Sequence, residues 1–142
     1  MKSFSFVIFF TVTGCSYAGP LLIFDSKLEL NANCTLSVTQ PKGKMEKIHF
    51  FEKESSKNCR FIHHSQTNIP HAERIGNFYV LLIETLAENK ERCIAKYTAV
   101  AVANNGIVYP SSVTKTSGAC NIGRERKVFE YFAHKMQLLE IK

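Results

Sequence analysis

Apolar Leu28, Leu30, Ala32, Cys34, Leu36 and Val38 alternate with Glu29, Asn31, Asn33, Thr35, Ser37 and Thr39. A period of two held this long predicts a single half-buried β-strand with Cys34 on its inward face. Gln40-Pro41-Lys42-Gly43-Lys44 has the composition of a turn, and Met45 to Phe51 reads as a second strand returning antiparallel. Glu52 to Asn58 is a charged, serine-containing loop, and Cys59 to His63 has the length of a short third strand. From Ser65 to Gly76 no apolar period survives, and Asn68, Pro70 and Gly76 mark the segment as the longest loop.

Asn77 to Leu86 contains Phe-Tyr-Val-Leu-Leu-Ile without alternation. A short apolar run of aromatic and branched residues between turn signals predicts a central strand covered on both faces. Cys93 to Ala103 is strand-like and is followed by Asn104-Asn105-Gly106, a hairpin turn. A two-residue type I′ turn at Asn105-Gly106 sets Asn104 opposite Ile107 and Cys93 opposite Gly118, with Cys120 on the diagonal. Pro110 has no amide proton for a ladder, so the returning strand is an edge. After Cys120 the period lengthens: Val128, Phe129, Phe132, Ala133, Met136 and Leu139 share one face of a helix of about fifteen residues, with Asn121 as its N-cap. Strands first and one terminal helix predict an α+β domain. The expected form is one antiparallel sheet of about five to six strands with the C-terminal helix packed on it.

The start of the chain reads as an address. Met1-Lys2 is a short positive segment, Phe4 to Val12 is apolar, and Ser16-Tyr17-Ala18 offers small residues for signal peptidase, giving a leader of 1–18 and a single globular domain at 19–142. Val12-Thr13-Gly14-Cys15 resembles a bacterial lipobox, which implies instead a leader of 1–14 and a lipidated Cys15. Either way the product is exported to the periplasm or beyond, and under the second reading it is anchored to the outer membrane. Of five cysteines, Cys34, Cys59, Cys93 and Cys120 remain after either cleavage. Four thiols in an oxidising compartment imply two disulfides. The strand pattern favours Cys34–Cys59 and Cys93–Cys120.

The chain of 142 residues is 45% hydrophobic and 21% charged, a balance that excludes a disordered protein. Its 18 basic and 12 acidic residues leave a formal charge of +6, lowered by one when Lys2 departs with the leader. The excess clusters at Lys42, Lys44 and Lys47 and again at Arg124, Arg126 and Lys127, and such patches attract anionic partners. Tyr97 and Tyr109 flank the hairpin and could serve such a surface as rigid aromatic anchors. Catalytic signals are sparse. Asp25 is the one aspartate, and neither G-x-S-x-G nor H-E-x-x-H occurs. His63, His64, His71 and Glu73 form the nearest approach to a site, as weak metal ligands or as a general base. No cofactor is implied, and an exported protein without a stacking motif is not expected to bind nucleic acid.

Size, export signal and staples together are similar to those of small bacterial periplasmic inhibitor and immunity proteins. The resemblance implies a non-enzymatic protein of the cell envelope that occludes a partner enzyme with an acidic surface, and it carries no residue roles. Two alternatives remain open: a secreted hydrolase or nuclease working through the His63 to Glu73 loop, and an adhesive module that holds anionic glycan or membrane through the basic patches.

Overall fold

The long apolar run and the strand after it pair over their whole length and organise everything else. The computed structural model describes residues 19–52, 58–64, 66–87, 94–118 and 125–138. Its strands are β1 (Leu21–Ile23), β2 (Ser26–Leu30), β3 (Thr35–Thr39), β4 (Met45–His49), β5 (Arg60–Phe61), β6 (Ala72–Ile75), β7 (Phe78–Ala87), β8 (Ile94–Ala103), β9 (Val108–Pro110) and β10 (Lys115–Ser117). The helix α1 covers Arg126–Lys135. Every pairing is antiparallel, so the architecture is α+β.

The expected single sheet is two sheets. A four-stranded sheet runs in the order β1-β2-β3-β4. The second, six-stranded sheet is built on the ten-residue ladder of β7 with β8. Along the outer edge of β7 lie β5 and β6 in succession, and along the outer edge of β8 lie β9 and β10. Leu81, Ile83, Val100 and Val102 turn one face of this ladder to the four-stranded sheet, which contributes Leu28, Leu36 and Val38. Val80, Leu82, Ala99 and Ala101 turn the other face to α1, which contributes Phe129, Phe132 and Ala133. The central strand is therefore covered on both faces, as its unbroken apolar run predicts. In β8 the alternation of alanine and valine matches the two layers: small alanines make room for the helix phenylalanines, and valines fill the gap between sheets.

The twelve-residue alternation is a hairpin, not one strand. Residues 31–34 form its turn, with Cys34 at φ 66°. Asn31 accepts the Cys34 amide at its carbonyl and the Thr35 amide at its side-chain oxygen. Leu28 faces Val38 and Leu30 faces Leu36, so paired residues have the same parity. Alternation thus passes through the turn undisturbed, and the pattern hides it. Cys34 is buried and bonded to Cys59, with Cα atoms 5.1 Å apart. The Cys59 amide also donates to the Ala32 carbonyl, so bond and bridge together join the four-stranded sheet to the start of β5.

The hairpin after β8 closes one residue away from the expected register. Val102 faces Val108 and Ala101 faces Tyr109, around a three-residue loop. The Gly106 amide donates to the Ala103 carbonyl and Gly106 alone has positive φ, at 81°. A type I turn followed by one left-handed glycine satisfies the same Asn-Asn-Gly sequence as a type I′ turn would. The type I′ pattern instead occurs at Phe24 and Asp25, at φ 47° and 62° between Ile23 and Ser26. Asp25 suits such a turn but Phe24 does not signal it, and the Phe24 ring packs at 5.2 Å from Tyr79 across the two sheets. As expected of its proline, β9 pairs on one side only among the described residues.

The segment read as the longest loop contains β6, which pairs with β7 around a tight turn at Gly76. Polar Glu73 and Arg74 erased its apolar period because they lie on an edge strand. Helix α1 has ten residues rather than fifteen. It ends in a Schellman motif: Leu138 donates to the Ala133 carbonyl and Gln137, at φ 60°, donates to that of His134. Its N-cap is Glu125, without a side-chain capping bond. Asn121 and Leu139 lie outside the described residues, as do the expected leader with Cys15 and the expected bridge of Cys93 with Cys120. No helix among the described residues is long and apolar enough to cross a membrane.

Candidate functional site

The histidine segment is an excursion from the edge of the larger sheet. Its feet are tied by the bridge of His63 with Pro70, by the His64 amide on the Ile69 carbonyl and by the His71 amide on the Ile62 carbonyl. This closure brings His64 over His71, with ring centroids 4.2 Å apart, and sets His71 4.8 Å from Phe129 of α1. The Nε2 of His71 is 3.3 Å from Glu73 Oε2. A carboxylate has no proton to give, so this contact makes Nε2 the donor and leaves the buried Nδ1 without a partner. The other carboxylate oxygen, Oε1, accepts from Arg126 at 2.5 Å, and Arg126 Nε donates to Glu130 at 2.9 Å. These bonds, that to Glu130 foremost, raise the Arg126 pKa above its ordinary value.

Both oxygens of Glu73 are thus engaged, and the cluster fastens α1 to β6. Among the described residues no group of three or more histidine, cysteine, aspartate or glutamate side chains converges to hold a metal ion. A second ion pair was not anticipated. Arg60 and Glu84 are cross-strand partners, with Arg60 Nε 2.7 Å from Glu84 Oε1 and Glu84 fully buried. Its Oε2 has no hydrogen-bond partner. A lone glutamate inside the run from Phe78 to Leu86 was the signal for it.

The expected basic and aromatic residues that are described do not form one surface. Tyr97 and Tyr109 lie on the helix-covered face of the larger sheet, Tyr97 with its ring 5.8 Å from Phe132 and Tyr109 6.0 Å from Phe78. Lys127 is exposed at the start of α1, and Arg126 beside it is occupied by two carboxylates. Arg124 lies outside the described residues. The lysines Lys42, Lys44 and Lys47 belong to the β3–β4 hairpin, in the other outer layer of the molecule.

That hairpin is the open part of the structure. The Gly43 amide donates to the Gln40 carbonyl and Gly43 sits at φ 79°, so Pro41-Lys42-Gly43 repeats the turn found at Asn104-Asn105-Gly106. Even-numbered Leu36, Val38 and Ile48 are turned toward the core, which puts Lys47, His49 and Met45 on the outer face. Lys42, Lys44 and Lys47 are exposed, Met45 is 73% exposed, and no ion pair among the described residues engages the three lysines. On the same face Thr35 Oγ1 and His49 Nδ1 are bonded at 2.9 Å. Because β4 pairs with β3 alone among the described residues, its far edge is free of any described strand. No protein-family model, curated protein or solved structure matches this chain.

Proposed function

We propose that this is a non-enzymatic binding protein of the cell envelope that docks an acidic partner protein, an enzyme it occludes, through the β3–β4 hairpin. The observation that carries the reading is the contrast between cations. Arg126 and Arg60 are committed to internal carboxylates, whereas Lys42, Lys44 and Lys47 project from one hairpin without an ion-pair partner among the described residues. Unneutralised charge on an ordered, disulfide-tethered scaffold speeds encounter with an anionic surface and orients it. Exposed Met45 offers an adaptable apolar contact among the lysines.

The histidine cluster supports this reading rather than the hydrolytic one. A base has to be free to accept a proton within reach of substrate. Here Glu73 is held by Arg126, and His71 is closed between His64 and Phe129. The leader-like pattern of the first residues and the Cys34–Cys59 bridge are what support the envelope as its place of action.

The test is capture from envelope extract with the oxidised protein as bait, alongside the triple variant Lys42→Glu, Lys44→Glu, Lys47→Glu and a control Lys127→Glu. A protein retained by the wild type and the control but lost with the triple variant, and whose activity falls on addition of the wild type, is the expected result. Recovery that ignores the triple reversal overturns the reading, as does binding to anionic lipid vesicles with no protein retained.

A further inference from the structure

Resting on that reading of the hairpin, we infer that the partner is held by strand addition: an extended acidic segment pairs with the free edge of β4 and continues the four-stranded sheet. The hydrogen-bond phase of the β3–β4 ladder decides which backbone groups are on offer. Gln40 donates to the Lys44 carbonyl at one end and Phe50 donates to the Cys34 carbonyl at the other. Between them Val38 faces Glu46 and Leu36 faces Ile48. In an antiparallel ladder bonded and non-bonded pairs alternate, so Lys44, Glu46, Ile48 and Phe50 direct their backbone groups at β3. Met45, Lys47 and His49 direct theirs away. The free edge therefore displays three amide donors and three carbonyl acceptors in strand spacing.

Natural edges of this kind are blunted with lysine, by proline or by covering elements. Lysine is what β4 carries, and it selects among occupants. A second copy pairing antiparallel about Lys47 sets Lys47 against Lys47, and pairing about Glu46 sets Glu46 against Glu46. Like charges directly opposite destabilise a strand pair. An acidic strand meets the opposite condition, with a carboxylate across from Lys47 on the outer face and another able to reach Lys44 or Lys42. Main-chain bonds then supply affinity and the lysines supply selectivity, the division of labour of strand-addition complexes. Pro41 helps to hold this edge at a fixed angle, since it lies against Gly106 of the larger sheet.

Lys47→Pro separates strand pairing from charge attraction. It removes one outward amide and leaves the bonds to β3 intact, because proline is tolerated where the amide faces away from the ladder. The probe is a ten-residue peptide of alternating glutamate and valine, with a copy N-methylated at every residue that keeps the charges but has no amide donors on either edge. Affinity is read by fluorescence anisotropy and amide exchange by NMR.

The free protein is expected to exchange the Met45, Lys47 and His49 amides rapidly and those of Glu46 and Ile48 slowly. Peptide binding should protect the first three. Lys47→Pro should weaken binding about tenfold or more, and Lys47→Ala up to about fivefold, the span of one cross-strand charge pair. Unchanged melting and a protected Glu46 amide in Lys47→Pro establish that β4 is intact. If Lys47→Pro binds as the wild type does while Lys47→Glu does not, or if the methylated peptide binds equally well, strand addition is overturned and charge docking stands. No saturable binding by either peptide also overturns it, and the envelope capture then decides the broader reading alone.

Discussion

Two turns of this protein have the same backbone and opposite surroundings. Pro41-Lys42-Gly43 and Asn104-Asn105-Gly106 each close a hairpin with a type I turn and one left-handed glycine. At Gly43 an added Cβ would meet nothing within 4 Å. At Gly106 it would meet Pro41 Cδ and Ser26 Oγ, each at 2.7 Å, and the Gly106 carbonyl accepts the buried Ser26 hydroxyl at the same distance. The first turn thus docks on the second, and this contact joins the two sheets at that end. Turn geometry is a local property, whereas its energetic weight depends on what rests against it. The open turn presents Lys42 to solvent beside the free edge, and the closed one holds that hairpin in place.

The largest expected effect comes from breaking the closed turn. Gly106→Ala combines a left-handed residue with a Cβ, costing about 1–2 kcal/mol, and an overlap with Pro41 and Ser26 costing about 1–3 kcal/mol. Denaturant titration of the oxidised variant should show about 3 kcal/mol lost, and peptide affinity should fall as the hairpin is displaced. Gly43→Ala carries only the conformational part. It should cost about 1 kcal/mol and leave affinity unchanged, and equal losses at the two positions would show that Pro41 does not rest on Gly106 in solution. The smallest effect has the opposite sign. Gln137 occupies the left-handed position of the Schellman motif at the end of α1, so Gln137→Gly should raise stability by about 0.5–1 kcal/mol in the same titration.

The two clusters of chemistry-bearing residues differ in the same way as the turns. His64, His71 and Glu73 are near in sequence and do come together, but closure of their excursion and the approach of Arg126 convert them into a fastening for α1. Nothing in a one-dimensional pattern indicates that an arginine 53 residues away will occupy that carboxylate. Lys42, Lys44 and Lys47 were legible as a basic group because a hairpin keeps sequence neighbours together. Their partition from Lys127, in another layer, was not legible, since it depends on which face of the central ladder each element covers. Glu84 gave a signal that only its cross-strand neighbour Arg60 explains.

Periodicity and composition alone determined the strand-rich class, the doubly covered Phe78–Ala87 strand, the apolar stripe of α1 and the cysteine that meets Cys59. Each follows from residues within a few positions of one another, or from the rule that unbroken apolar runs are buried on both sides. Tertiary structure decided the division into two sheets, the turn inside an unbroken alternation and the one-residue shift at Gly106. Those outcomes turn on parity, on a choice between turn types of similar local energy and on contacts across the layers. A local pattern contains no term for any of them.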